Sequence, residues 1–276
     1  MVEIFDNIRK LYQFRAPCAE LAPYIEFFSE TSPDAMRHHV GEAAFTVKMF
    51  PSYTPTIWLN LGTPYLLKTG QAIHQVEKDT DILVLRSTIV ERRNLPTDNI
   101  FTVKFNPGGF ETVFGIPQTK IGHGVIDVRE IIPGGTLRKL KKLDGFDSRL
   151  AFLENFLLDK LTATKAQVHY LHAVQQVIDS FCSSGMQLNN YELASRQHLT
   201  EKTMYRYFMQ AIGTSPKNFF GTLRARTALT DYLSNKGHFD HSLHGYYDAS
   251  HFYKDVVKFT GRRMSDFYLS CSSRPA

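Results

Sequence analysis

Two segments near the end of the chain, 200–220 and 248–268, carry one pattern 48 residues apart. In each segment a residue suited to capping precedes a short amphipathic stretch that has a basic residue on its polar side, and a glycine follows. Arg206 in the first copy corresponds to Lys254 in the second. The repeat predicts two helix-turn-helix units, each presenting one helix to a DNA major groove.

The excess positive charge lies in the same part of the chain. The formal net charge is +5; residues 1–185 contain 20 basic and 20 acidic side chains, whereas residues 186–276 contain 12 and 7. An acidic partner is therefore expected for the C-terminal segment, and double-stranded DNA is the polymer that paired helix-turn-helix units bind. Charge alone leaves open an ordinary basic surface.

Length and composition predict a two-domain protein with substantial cores, because the chain has 276 residues and is 43% hydrophobic. The sequence has no apolar run of the roughly 18 residues that a membrane span needs. Its first ten residues do not have the pattern of a signal peptide, so we expect a cytoplasmic protein with no membrane partner. Cys18, Cys182 and Cys271 lack metal-like spacing, which predicts reduced thiols and no cofactor.

Two patterns of residues precede the repeat. Short apolar runs separated by Pro and Gly turns, at 44–50, 56–62, 65–70, 81–90 and 99–109, predict the strands of a β-barrel or sandwich. Beyond 133–135 the spacing becomes helical, and 146–161 and 167–181 read as amphipathic helices. The predicted class is α+β. We assign 1–135 to a β-rich effector or dimerisation domain, 136–185 to a helical interface and linker, and 186–276 to a DNA-binding domain.

The first repeat can be interpreted residue by residue. Thr200 is suited to cap a helix by accepting from the backbone N–H two or three residues on. Gly213 is suited to end that helix, and Pro216 to start the next one, predicted over 218–233. Helical spacing turns Met204 and Phe208 inward, and it turns Lys202, Tyr205 and Arg206 outward. An arginine in this position can bind the O6 and N7 atoms of guanine.

The segment 186–269 resembles the DNA-binding domain of AraC/XylS-type transcription regulators. The resemblance is carried by LASRQHLTEKTMYRYFMQAIGTSPKNFFGTLRARTALTDYL and GYYDASHFYKDVVKFTG. It implies two helix-turn-helix units joined by a long helix, with recognition helices near 201–210 and 249–259 in adjacent major grooves. It also implies a regulator rather than an enzyme, with RNA polymerase and a second copy of the chain as partners. FNPGGFETVFGIPQTKI (105–121) is similar to a β-rich effector domain of the family, which implies a small-molecule effector.

The candidate site residues fall into three groups. Base-reading positions are Lys202, Tyr205, Arg206, Ala249, Ser250, Tyr253 and Lys254. Phosphate-binding positions are Thr203, Lys217, Arg224, Arg226, Lys258 and Arg262. Candidates for an effector pocket are Trp58, Phe101 and Phe105, although core packing would explain the same residues. Lys48 and Lys104 lie within apolar strands and are expected to point outward.

The second repeat departs from the family pattern. His241 stands where the supporting helix usually has an alanine, so that helix is expected to be short or poorly formed. Ala249 replaces a longer polar residue and removes one contact to a base. Met264 stands where the first repeat has Pro216. We therefore expect the first unit to carry most of the sequence specificity and the second to bind mainly the DNA backbone.

Two other classes of function remain open on sequence alone. One is a cupin-like metal-dependent enzyme fused to a DNA-binding domain, because 36–42 contains two histidines and a glutamate. Metal sites of that kind need ligands that converge from separate strands, so a loop with solvated histidines is expected instead. The other is an adaptor whose helix-turn-helix repeat binds a protein.

Overall fold

The computed structural model describes residues 11–39, 44–122, 124–164, 169–235 and 238–265. Strands make up most of its first hundred residues, and helices make up the remainder. The predicted α+β class, with a β-rich N-terminal part and a helical C-terminal part, is confirmed. Within the described ranges, every helix is too short or too polar to cross a lipid bilayer.

The N-terminal part is a sandwich of two antiparallel sheets. The first sheet has the order β1 (Tyr12–Arg15), β2 (Ile25–Thr31), β9 (Ile100–Phe105), β4 (Pro55–Asn60), β7 (Ile82–Leu85) and β10 (Val125–Asp127). The second has the order β3 (Phe45–Met49), β8 (Val90–Asn94), β5 (Tyr65–Thr69) and β6 (Ala72–Val76). Apolar side chains from both sheets, among them Trp58 and Leu67, form the core between them.

Strand β9 separates this inner core from a second core on the other face of the first sheet. Its side chains alternate: Ile100 packs between the sheets, whereas Phe101 and Phe105 pack against the helices that cover the outer face. Trp58 lies on the inner side. The expectation that Phe101 and Phe105 line an effector pocket with Trp58 is therefore wrong, because alternation places them on opposite faces of the sheet.

Four helices belong to the N-terminal part: α1 (Pro33–His39), α2 (Gly109–Phe114), α3 (Gly134–Lys141) and α4 (Phe146–Ala163). Helices α2, α3 and α4 cover the outer face of the first sheet. The buried guanidinium of Arg149 on α4 fixes this layer, since its Nε donates to Glu30 Oε2 on β2 at 2.8 Å. A loop was expected at 36–42, but the structure has a helix as far as His39; residues 40–43 lie outside the described ranges.

The C-terminal part contains α5 (His169–Ser183), α6 (Asn190–Arg196), α7 (Glu201–Ala211), α8 (Pro216–Ser234) and α9 (Ala249–Thr260). Helices α5 to α7 and the first turns of α8 share one core, in which Phe181, Phe208 and Phe220 meet. The later turns of α8 share a second core with α9, around Leu229 and Phe252. Helix α8 therefore belongs to both cores and joins them.

Candidate DNA interface

The first candidate recognition helix is α7. As predicted, the Thr200 side chain accepts from the Thr203 backbone N–H, which is one of the orphan donors of a helix start. Met204 and Phe208 are buried in the first core. Lys202, Tyr205 and Arg206 lie on the opposite side, where Lys202 and Arg206 are exposed and 52% of Tyr205 is exposed. These three side chains project together from the first two turns of the helix.

The second candidate recognition helix, α9, repeats this arrangement. Its N-cap is Asp248, whose carboxylate accepts from the His251 backbone N–H at 2.7 Å. Phe252 and Val256 are buried in the second core. Ser250, Tyr253 and Lys254 are exposed, and Ala249 is partly exposed. The four predicted positions thus lie at the start of α9, as their counterparts do at the start of α7.

The helices that support these two differ. In the first unit α6 begins with a capping box, in which Asn189 and Glu192 satisfy each other's backbone N–H groups. In the second unit the corresponding support is a single 3₁₀ turn, His241–His244, that ends at Gly245 with φ of 70°. The prediction that this support is short is confirmed. The turn is held from α8, because His244 Nε2 lies 2.9 Å from Asp231 Oδ2.

A groove of about 500 Å³ runs between the two units. It brings together three of the predicted phosphate ligands: Lys217 from the first unit, Arg224 from α8 and Lys258 from α9. Lys217 and Lys258 are exposed. Arg224 is partly buried, with its guanidinium against the rings of Phe181 and Tyr246 and its Nη2 donating to the Met186 carbonyl at 2.9 Å. Its buried Nε atom has no hydrogen-bond partner.

The remaining phosphate candidates have different surroundings. Thr203 is partly buried in the cap of α7, where its hydroxyl accepts from that of Thr200. Arg262 is partly buried just beyond α9, and its backbone N–H donates to Thr260 Oγ1 at 3.0 Å. Both contribute to the ends of a recognition helix, and their contacts to phosphate stay predictions.

Arg226 faces away from this groove, and its predicted phosphate contact is wrong. Its Nη2 donates to Glu26 Oε1 on β2 at 3.0 Å, and the Nζ of fully buried Lys104 lies 3.1 Å from Glu26 Oε2. Burial opposes ionisation of Glu26, but the charges of Lys104 and Arg226 outweigh it and lower the pKa of Glu26 to about 2. Lys104 was also expected to point outward, and its burial in this ion pair corrects that. Lys48 does reach the surface, beside Glu91.

The loop between β3 and β4 connects the sandwich to both units. Phe50 lies in the second core, 5.9 Å from the ring of Phe259 on α9. Tyr53, three residues later, packs against the first core. Gln118 adds a bridge, because its Nε2 donates both to the Tyr53 carbonyl at 2.9 Å and to the Ile212 carbonyl at 3.1 Å. The sequence analysis missed these residues, and no local sequence signal distinguishes them from ordinary loop residues.

The larger cavities lie outside the sandwich interior. The cavity beside Trp58 has a volume of about 30 Å³, enough for about one water molecule. A cavity of about 580 Å³ lies between the sandwich, α5 and α8, with Glu26 and Arg226 in its wall. Another of about 620 Å³ lies between α5 and the 107–109 turn. Both are in the size range of small-molecule sites.

The part of the chain that the structure describes contains no cluster of three or more His, Cys, Asp or Glu side chains placed to hold a metal ion. His38 is exposed at the end of α1. Glu42, the third residue of the candidate metal motif, lies outside the described ranges.

Comparisons with known proteins agree with the resemblance seen in the sequence. No family model and no curated protein matches the chain. Among solved structures, ToxT from Vibrio cholerae aligns with 82% of this chain and 97% of its own, at 8% identity and a TM-score of 0.48. A second ToxT structure, from Vibrio cholerae O395, aligns at 10% identity and a TM-score of 0.47, over 84% of this chain and 98% of its own. The AraC-like transcriptional activator CuxR aligns over 87% of this chain and 93% of its own, at 12% identity and a TM-score of 0.30.

The chain resembles AraC-type transcription regulators. At such low identities and TM-scores, we infer its function from the residues that the chain itself places at the surface.

Proposed function

We propose that this protein is a sequence-specific transcription regulator that binds double-stranded DNA through α7 and α9. The observation that carries the proposal is the matched pair of helix starts. Each recognition helix begins at a side-chain cap, buries two large apolar residues and exposes an aromatic and a basic side chain in its first two turns. Helix starts of this kind present side chains to base edges in the major groove.

The division of roles follows from side-chain chemistry. Arg206 is exposed and has the fork of donors that binds guanine bidentately. Its guanidinium lies 5.6 Å from the centre of the Tyr207 ring, and this contact limits the orientations that it samples. Lys217 and Lys258, on opposite sides of the groove between the units, suit phosphates of the intervening backbone.

The experiment is enrichment of binding sites from a random duplex library, followed by titration of an enriched and a scrambled duplex over a series of salt concentrations. We expect a preference of about a thousandfold or more and a log–log salt slope of several units, as for specific proteins that bind many phosphates. Equal and weak binding to both duplexes would favour the adaptor function, in which the repeat binds a protein.

We further propose that an effector binds in the cavity of about 580 Å³ between the sandwich and α8. Lys104 and Arg226 carry two positive charges against the single carboxylate of Glu26, so this wall of the site has an excess of one positive charge. The opposite lining includes Ile178, Phe219 and other apolar groups. A monocarboxylate with an apolar body matches both features. Because the cavity touches both parts of the molecule, its occupant would change their relative stability.

An unsaturated fatty acid is a suitable first probe for this cavity, and one ToxT structure is described as bound to such a molecule. We expect it to raise the melting temperature of the protein, and the alcohol of the same chain length to raise it much less, because only the acid supplies a carboxylate. Equal shifts from acid and alcohol would contradict a site that recognises charge. RNA polymerase and a second copy of the chain remain the proposed protein partners.

A further inference from the structure

A groove of about 400 Å³ lies between the last turns of α9 and the β5–β6 hairpin of the sandwich. Lys258 and Phe259 line it from the helix, and Lys68, Gly70 and Gln71 line it from the hairpin. Such a groove is an interdomain surface, because one wall belongs to the second recognition helix and the other to the N-terminal sandwich.

The groove continues the face of α9 that we assign to DNA. The exposed residues of this helix recur at helical spacing and form one stripe, which consists of Ser250, Tyr253, Lys254, Val257 and Lys258. Lys254 lies in the middle of the stripe and Lys258 near its end. A DNA strand that follows the stripe toward the end of the helix therefore reaches the hairpin next.

The charge of the groove suits a polyanion. Lys68 and Lys258 are both exposed and stand on opposite walls. The acidic side chain in the lining, Glu91, is paired with Lys48, whose Nζ lies 3.1 Å from Glu91 Oε1. The hydroxyl residues Ser87 and Thr88 also line the groove. Its residues thus carry an excess of positive charge that the Glu91–Lys48 pair does not reduce.

The shape of the hairpin turn permits close approach of another backbone. Gly70 has φ of +60° and is exposed, and a Cβ atom built there would meet nothing within 4 Å. The turn therefore projects into open space beside α9.

We propose that the β5–β6 turn, with Lys68 as its charged residue, is a third DNA contact that binds backbone phosphates flanking the site of the second unit. This inference rests on the proposed DNA-binding function and adds the N-terminal domain to the DNA-binding surface. A lysine–phosphate contact contributes affinity through release of counterions and carries no sequence information. Binding of DNA would then also hold the sandwich against α9.

The test compares Lys68→Ala with Lys78→Ala in the full-length protein. Lys78 is an exposed lysine of the same domain, in the turn at the other end of β6, and it serves as a matched control of equal charge. Affinity for an enriched duplex is measured over a series of salt concentrations. We expect Lys68→Ala to weaken binding about threefold to tenfold and to reduce the salt slope by about one unit, whereas Lys78→Ala changes neither.

A second arm shortens the duplex on the side of the second unit, one helical turn beyond the enriched sequence. The wild-type protein should lose affinity on the shorter duplex, and Lys68→Ala should lose no more, because the phosphates that Lys68 binds are gone. If the wild type binds an enriched duplex specifically and Lys68→Ala behaves like Lys78→Ala, the hairpin contact is overturned while the proposed function stands. If the wild type shows no preference for any duplex, both are overturned.

Discussion

The two helix-turn-helix units have similar recognition helices but differ in what holds those helices in place. Helix α7 rests on a capped α-helix and on a core that α5, α6 and the start of α8 supply. Helix α9 rests on a 3₁₀ turn and on a core that includes Phe50 from the sandwich. The first unit is therefore supported mainly from within the C-terminal part, and the second depends on the N-terminal domain.

This difference indicates where a signal from the N-terminal domain would act. Displacement of the 50–54 loop would remove Phe50 from the core of the second unit. The first unit would lose only the contacts of Tyr53 and Gln118 at its edge. A ligand that changes the position of the sandwich is thus expected to alter α9 more than α7, and so to change the spacing at which the pair can bind DNA.

The largest expected effect comes from removing the shared aromatic residue. Phe50→Ala should cost about 3–5 kcal/mol where the ring is buried, as large-to-small core substitutions do. Amide hydrogen exchange should show faster exchange in α9 than in α7. Phe101→Ala, an equally buried substitution in the outer core of the sandwich, is the control and should not single out α9. Equal loss of protection in both recognition helices would contradict the unequal support.

The ion pair between the sandwich and α8 makes the junction sensitive to acid. Because the pKa of Glu26 is lowered to about 2 from its usual 4.5, its contribution to stability is full above about pH 4.5 and is lost as the pH falls toward 2. The contribution is up to about 3 kcal/mol for a shift of this size. Denaturant titrations between pH 5 and pH 2 should show a steeper loss of stability for wild type than for Glu26→Gln. Parallel curves would mean that the pair contributes nothing.

The recognition helices themselves should respond unequally to substitution. Arg206→Ala should cost about 1–3 kcal/mol on an enriched duplex and relax the base preference. Lys254→Ala should cost less and weaken all duplexes alike, because the short side chain of Ala249 leaves the second helix with fewer contacts to bases. Titration of both variants on enriched and scrambled duplexes measures this. An Arg206→Ala variant that loses equally on both duplexes would not have lost a base reader.

The smallest effect distinguishes the basic residues of α8 and its start. Lys217→Ala should reduce the salt slope of DNA binding by about one unit. Arg226→Ala should leave that slope unchanged, because its guanidinium is bound to Glu26. A lower slope for Arg226→Ala would restore it to the set of phosphate ligands.

Features set by neighbouring residues were predictable from the sequence. The Thr200 cap, the end of α7 at Gly213 and the start of α8 at Pro216 each depend on a few adjacent side chains, and the structure has all three. The same holds for the weak support of the second unit, where His241 interrupts the helical pattern.

Features set by distant residues were not predictable. Arg226 pairs with a glutamate 200 positions earlier, so its outward place on a helical pattern says nothing about its partner. The run 81–90 was predicted as one strand, but it is interrupted between Leu85 and Val90. There the Arg86 side chain turns to donate to the Phe50 carbonyl at 2.7 Å, a contact that exists only once the two sheets have met.

The most direct test of unequal DNA-reading units is a set of single base-pair substitutions across an enriched duplex, with the affinity of the wild-type protein measured for each. The account predicts penalties of about 1–3 kcal/mol per base pair in the half bound by α7 and clearly smaller ones in the half bound by α9. Equal penalties in both halves would contradict the difference between the units, and the absence of any penalty would contradict sequence-specific recognition.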